Sequence, residues 1–168
     1  MAATATKEFV ISRVFDAPHD LVWKAFSDQE CMKEWWGPKG FTVFSSKMDF
    51  RPGGTYLYGM KAPDGTPMWG KFTYREIVAP EKIVAVNNFS DEAGGVTRHP
   101  MAPTWPLKML TILTFEEQPG GKTKFTVHWS THEANEEEQK TFDSSHDSMR
   151  QGWSGTMERL EAYLAKVR

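Results

Sequence analysis

The sequence predicts an α+β fold, a curved antiparallel sheet of about seven strands wrapped around one long C-terminal helix. Three observations carry this. From Phe41 to Thr131 apolar residues recur with period two, in runs broken by short turns rich in proline and glycine. From Asn135 to Val167 they recur instead at steps of three and four. Two short helical patterns stand between the first strand-like run and the rest. A curved sheet and a straight helix do not mate flush along their length, so this order leaves room for a cavity between them.

The first strand is expected over residues 8–15, with Phe9, Ile11 and Arg13 on one face and Val10, Ser12 and Val14 on the other. Pro18 suits a first helical turn, and Leu21, Val22, Ala25 and Phe26 follow at helical spacing. Asp28 is placed to cap a second short helix carrying Cys31, Met32, Trp35 and Trp36, which Gly37-Pro38 stops. "FTVFSSKMDF", "TYLYGM", "MWGKFTYREIV", "KIVAVNNF", "LKMLTILTFEE" and "TKFTVHWST" then read as consecutive strands of an antiparallel meander. In the last of them Phe125, Val127 and Trp129 form a buried face, and Thr126, His128 and Ser130 a wet one. The strand before it is apolar on both faces, with Met109, Thr111, Leu113 and Phe115 opposing Leu110 and Ile112. Its second face calls for a cover, either the loop that precedes it or a second subunit; a homodimer would explain Leu110 and Ile112.

Asn135 and Glu138 form a capping box, with three glutamates at the positive end of the helix dipole. Phe142, His146, Met149, Trp153, Met157, Leu160, Leu164 and Val167 then make one apolar stripe. It predicts a continuous helix of about eight turns, roughly 45 Å at 1.5 Å per residue. Gly152 and Gly155 weaken its middle, or admit a bend or a close neighbour.

A chain of 168 residues suits a single domain spanning residues 1–168, with an ordered core of about 7–167, and can bury its core without staples. A net charge of −2 offers no basic surplus for phosphates, so nucleic acid is not an expected partner. Cys31 is the only cysteine, which excludes a disulfide framework and a thiolate metal cluster. "MAATATKEFV" has no apolar signal region, and no apolar run reaches the ~20 residues that span a bilayer. A cytoplasmic location is the expectation. Seven Trp, eleven Phe and nine Met make either an aromatic core or the walls of an internal cavity, where such side chains suit apolar ligands.

The stretch "GGVTRHPMAPTWPLKML", residues 94–110, crowds Arg98, His99, Met101 and Trp105 among three prolines. Prolines remove backbone donors and fix φ, so neither helix nor strand is expected here. It reads as a rigid lid. Arg98 and His99 would sit at a cavity mouth, or Arg98 would bond loop carbonyls, while Met101 and Trp105 cap the pocket or the outer sheet face. Alternation nominates the walls. Met48 and Phe50 share one face, as do Tyr56 and Tyr58, and Phe72 and Tyr74. Met109, Thr111 and Trp129 join them from the last two strands, and Met149 and Trp153 from the helix. The tyrosine hydroxyls, Thr111 and His146 would supply polar contacts. His146 is either a satisfied core histidine or a group that orients a ligand or moves a proton.

His128 and His132 would stand roughly 13 Å apart on a strand, too far to share a metal. His19 is expected at the surface. No G-x-S-x-G, P-loop or G-x-G-x-x-G is present, and neither metal nor cofactor is expected.

"ISRVFDAPHDLVWKAFSD", "WWGPKGF", "DFRPGGTY", "GGVTRHPMAPTWPLKMLTILTFEE" and "MRQGWSGTMERLEAYL" together resemble the START-like superfamily with its helix-grip fold. More narrowly the chain resembles the activator of heat-shock protein 90 ATPase homologue family, across nearly its whole length. The superfamily resemblance implies binding of a small hydrophobic or amphipathic molecule in the central cavity; for this chain the expected guest is apolar or aromatic and is bound without catalysis. Some of its members are cyclases or hydrolases; an enzyme of that type would use His146, His99 and Tyr58. The family name further implies a stress response and a chaperone-directed adaptor, with this chain resembling the second of a co-chaperone's two domains.

Overall fold

A computed structural model describes residues 8–99 and 102–168. In chain order the elements are β1 (Phe9–Phe15), α1 (His19–Ser27), α2 (Gln29–Trp35), β2 (Thr42–Met48), β3 (Thr55–Lys61) and β4 (Pro67–Val78). There follow β5 (Lys82–Ser90), β6 (Val96–Thr97), β7 (Met109–Gln118), β8 (Lys122–Thr131), α3 (Glu136–Ser144) and α4 (His146–Val167). The meander forms as expected. The sheet order is β1-β8-β7-β5-β4-β3-β2, antiparallel throughout, and β1 returns to pair with β8 from Phe9↔Trp129 to Phe15↔Thr123.

β6 is an addition. Val96 and Thr97 pair with Ser90 and Phe89 inside the stretch expected to carry no strand. They precede Pro100, so the proline constraint does not yet apply to them.

Asp28 ends α1 and begins α2, its carboxylate accepting from the backbone N–H of Glu30 (2.9 Å) and Cys31 (3.1 Å). The two helices therefore meet with no linker and pack as a unit over one end of the sheet. Phe26 of α1 lies 5.2 Å from Phe115 and 4.8 Å from Phe125, ring to ring, and Trp35 of α2 donates its indole N–H to Ala25 O at 3.1 Å. His19, expected at the surface, is half-buried; its Nε2 lies 2.9 Å from Phe115 O and ties α1 to β7.

The predicted C-terminal helix is two helices. The capping box at Asn135 forms, but α3 stops at Ser144, and Ser145 breaks the path with φ −106° and ψ 11°. Serine hydroxyls cause the interruption. Those of Ser144 and Ser145 both donate to Thr141 O, at 3.1 and 2.6 Å, while the Ser145 N–H turns to Phe142 O. Hydrophobic periodicity cannot register this, because the stripe continues across the joint. α4 then runs 22 residues without interruption through Gly152 and Gly155. Its buried Met149, Trp153, Met157, Leu160 and Leu164 face the concave side of the sheet.

The loop before β7 puts Trp105 on that same concave side, its ring 6.2 Å from Phe142. Leu110 and Ile112, on the other face of β7, are half-buried. No helix among the described residues is long and apolar enough to cross a membrane.

Candidate functional site

Because α1 and α2 fill one end of the concavity, the sheet and α4 meet there through packed rings. At the other end they do not, and a half-open cavity of about 390 Å³ remains. Its floor is Tyr58 and Met60 of β3, Met68, Trp69, Gly70 and Phe72 of β4, Asn87 and Phe89 of β5, Met109 of β7 and Trp129 of β8. Its roof is the first half of α4: Ser148, Met149, Gly152, Trp153 and Thr156. Trp36, Gly37, Pro38 and Phe41 close one side, and His99, Trp105 and Pro106 stand at the other.

The wall at Trp36 is held from above. Gly37 takes φ +105°, a conformation that favours glycine. Arg159 of α4 then donates from Nη1 to the carbonyls of Trp36, Gly37 and Pro38, each at 3.1 Å. On the floor, Tyr58 faces Gly70 across β3 and β4. Burial pushes its phenol up to about 12. The Trp36 indole offsets part of that rise, although no hydrogen bond of ordinary geometry joins the two. Trp36 Nε1, Trp153 Nε1 and the Tyr56 hydroxyl are buried without a hydrogen-bond partner.

The lid is anchored to α3. Glu138, only 5% exposed, accepts from Arg98 Nη1 and from the Leu107 N–H at 3.2 Å, while its other oxygen accepts from the Asn135 N–H at 3.0 Å. Thr141 adds a 2.8 Å bond to Thr104. Arg98 also donates to Trp105 O at 3.5 Å. His99 packs its ring 4.8 Å from Phe89 and 6.4 Å from Trp105, and burial lowers its pKa, which favours the neutral imidazole.

Residues 16–165 match the model of the family described as activator of Hsp90 ATPase homolog 1-like protein. The chain belongs to this family. Solved structures agree in fold. A protein from Arthrobacter aurescens is 26% identical with TM-score 0.75, over 99% of this chain and 93% of that one. A protein from Mycobacterium smegmatis is 24% identical with TM-score 0.76, over 95% and 91%. A protein from Silicibacter pomeroyi bearing the family's abbreviated name is 16% identical with TM-score 0.71, over 96% and 100%. No curated protein matches the sequence.

In this chain the structure brings Tyr58, Phe72, Met109, Trp129, Met149 and Trp153 together around the cavity, with His99 and Trp105 at its mouth. The other nominated residues lie elsewhere. Phe50 packs at the filled end, 5.8 Å from Trp23 and 5.0 Å from Tyr74. Met48 ends edge strand β2, where its N–H donates to Gln29 Oε1 at 2.8 Å. Tyr56 is fully buried. Tyr74 and Thr111 border a separate void of about 20 Å³, room for about one water. Arg98 is engaged by Glu138, and Met101 lies outside the described residues.

His146 is corrected as well. It opens α4 wedged between Phe9 and Phe142, at ring separations of 5.5 and 5.3 Å, and does not border the cavity. The helix break at Ser145 puts it there. His146, His99 and Tyr58 therefore do not share one site. Alternation identifies which face a side chain takes, but not which end of that face the helices fill.

Sequence reasoning passed over Trp36, Phe41, Met68, Asn87, Phe89 and Thr156 as lining residues. Asn87 had a signal: an amide pair, Asn87-Asn88, inside an otherwise apolar strand. Trp36 had none, since its role depends on Arg159, which is 123 residues away in the chain. Among the described residues no group of three or more His, Cys, Asp or Glu is arranged to hold a metal.

Proposed function

We propose that this family member binds a small, largely apolar molecule in the cavity between the sheet and the first half of α4, without transforming it. The observation that carries this is the lining itself: about 390 Å³ walled by aromatic and methionine side chains, with no Asp, Glu, Lys or Arg lining it among the described residues. That volume falls in the range of small-molecule sites. A guest burying ~200 Å² of apolar surface would gain about 5 kcal/mol at 25 cal/mol per Å², before the cost of immobilising it.

The same lining supports binding over turnover. Its titratable side chains are Tyr58, whose phenol is held neutral, and His99, whose burial favours the neutral ring. No lining carboxylate can take or relay a proton. A hydrolase- or cyclase-type reading draws on the presence of Tyr58 and His99 in one cavity, and an adaptor reading on the family's description.

Native mass spectrometry of the purified protein tests the proposal. A retained molecule that is absent from Gly152→Phe, which fills the roof, is expected. If the two proteins carry the same molecule, or if Tyr58→Phe and His99→Ala abolish a measured turnover, the binding reading is wrong. A chaperone pull-down unaffected by Gly152→Phe would favour the adaptor.

A further inference from the structure

One polar chain crosses the sheet and ends at the cavity. Trp129 Nε1–H donates to the Thr111 hydroxyl at 2.8 Å, and that hydroxyl donates to Asn87 Oδ1 at 2.5 Å. Sheet register builds it. Thr111 pairs with Trp129 across β7 and β8, and with Ala85 across β5 and β7; Asn87 lies two residues beyond Ala85 on the same face.

Thr111 is 1% exposed, so its hydroxyl has no solvent alternative. The indole can only donate, which commits the threonine oxygen to accepting from it and its hydrogen to Asn87. Asn87 Oδ1 is thereby consumed. The amide is turned so that Nδ2, with its two hydrogens, is left over, and no partner among the described residues takes it. Asn87 borders the cavity beside Phe89, Met109 and Trp129. The neighbouring Asn88 differs, because its Nδ2 is spent on Phe89 O at 2.7 Å.

Other polar groups of the lining discriminate less. The Thr156 hydroxyl donates to Gly152 O at 3.0 Å. The hydroxyls of Tyr58 and Ser148 rotate to give or accept a proton as a guest requires. Among the amides and hydroxyls of the lining, Asn87 alone is fixed as a donor by a chain behind it; the indole N–H groups of Trp36 and Trp153 can also only donate, but both are fully buried rather than open to a guest. A donor that a guest cuts off from water costs free energy unless the guest brings an acceptor to it, so the half-buried Asn87 amide selects for guests that carry one. The absence of a lining cation selects in another way, since a buried anion would have no counter-charge.

We infer that the cavity takes an uncharged molecule bearing a hydrogen-bond acceptor, such as a ketone, ester or amide carbonyl, and that Asn87 Nδ2 is the group that recognises it. This rests on the cavity-binding reading above and goes beyond it in naming the ligand class and the specificity residue.

Three naphthalenes of nearly one shape separate the possibilities: 2-acetylnaphthalene, 2-isopropenylnaphthalene, which replaces C=O by C=CH₂, and 2-naphthoate. Each is titrated against the full chain by quenching of tryptophan fluorescence. Wild type should bind the ketone about fivefold or more tighter than the hydrocarbon, the margin of one neutral hydrogen bond. It should bind the naphthoate at least about tenfold more weakly than the ketone. Asn87→Leu should bind ketone and hydrocarbon alike, and Thr111→Val, which frees the amide to turn, should lose part of the preference. If Asn87→Leu fails to fold, Asn87→Asp, which has no Nδ2 donor, carries the comparison. Equal binding of ketone and hydrocarbon by wild type, a preference unchanged in the Asn87 variant, or naphthoate as tight as the ketone overturns the inference and leaves the cavity reading standing. Binding of neither neutral probe overturns the cavity reading itself.

Discussion

The ring of Tyr58 lies over Gly70 on the neighbouring strand, so close that a Cβ at residue 70 would come within 3.0 Å of the phenol oxygen. At residue 70 Tyr58 therefore lies on bare backbone, while its ring also meets those of Tyr56, Trp36 and Phe72 at 5.1, 5.7 and 6.0 Å. Gly70→Ala must displace the ring or the strand. The expected loss is about 1–3 kcal/mol, as for overpacking elsewhere, read by chemical denaturation. Unchanged stability would mean that Tyr58 is free to move aside.

Burial raises the pKa of all four tyrosines: Tyr58 and Tyr163 to about 12, and Tyr56 and Tyr74 further. A raised acid adds stability that is complete below its unfolded value, about 10, and is lost as pH climbs through the folded one. Absorbance of the native protein at 295 nm should therefore show no phenolate step near pH 10, and ionisation should accompany alkaline unfolding. A reversible step near pH 10 with the fold intact would contradict this.

Glu138 is a carboxylate whose burial acts against ionisation, yet the Asn135 N–H, Arg98 and the Leu107 N–H together hold its pKa below the usual range. Its stabilising share is complete above the unfolded value, near 4.3, and disappears as pH falls through the lower folded one. Glu138→Gln preserves the capping box and removes the charge that Arg98 meets. It should cost about 1–3 kcal/mol at pH 7, with the deficit shrinking below about pH 4. A deficit that does not change with pH would assign the loss to packing.

At Gly152 an added Cβ meets nothing within 4 Å. Gly152→Ala should stabilise α4 by roughly 0.5–1 kcal/mol through helix propensity, while Gly152→Phe should fold and bind an apolar probe more weakly than wild type. A destabilised alanine variant would show that the residue is needed for a contact of its own.

Arg159→Met removes the group shared by three carbonyls of the Trp36–Pro38 turn. A loss of about 2 kcal/mol is expected, together with weakened binding of an apolar probe, because the Trp36 wall is no longer held. Stability lost with affinity unchanged would detach the turn from the site.

Period and punctuation carried the fold. Every long strand appears where alternation placed it, and Asp28 and Asn135 cap the helices they were read to cap. The candidate cavity was legible in part: Tyr58, Phe72, Met109, Trp129, Met149 and Trp153 line it. Those residues both face inward and fall at the end that α1 and α2 leave open. Phe50 and Tyr74 face inward too, but beneath the helices, and His146 was carried away by a joint made of two serine hydroxyls.

The sequence by itself determined the order of the long strands, the two short helices after the first of them and the supply of aromatic and methionine wall, because these depend on neighbours a few residues apart. Only the tertiary structure decided where the hollow lies, that Arg159 secures one wall and Glu138 the lid, and that Asn87 is turned donor-first by Thr111 and Trp129. Those facts rest on contacts between residues 18 to 123 positions apart, and no local period encodes which distant partner a side chain will meet.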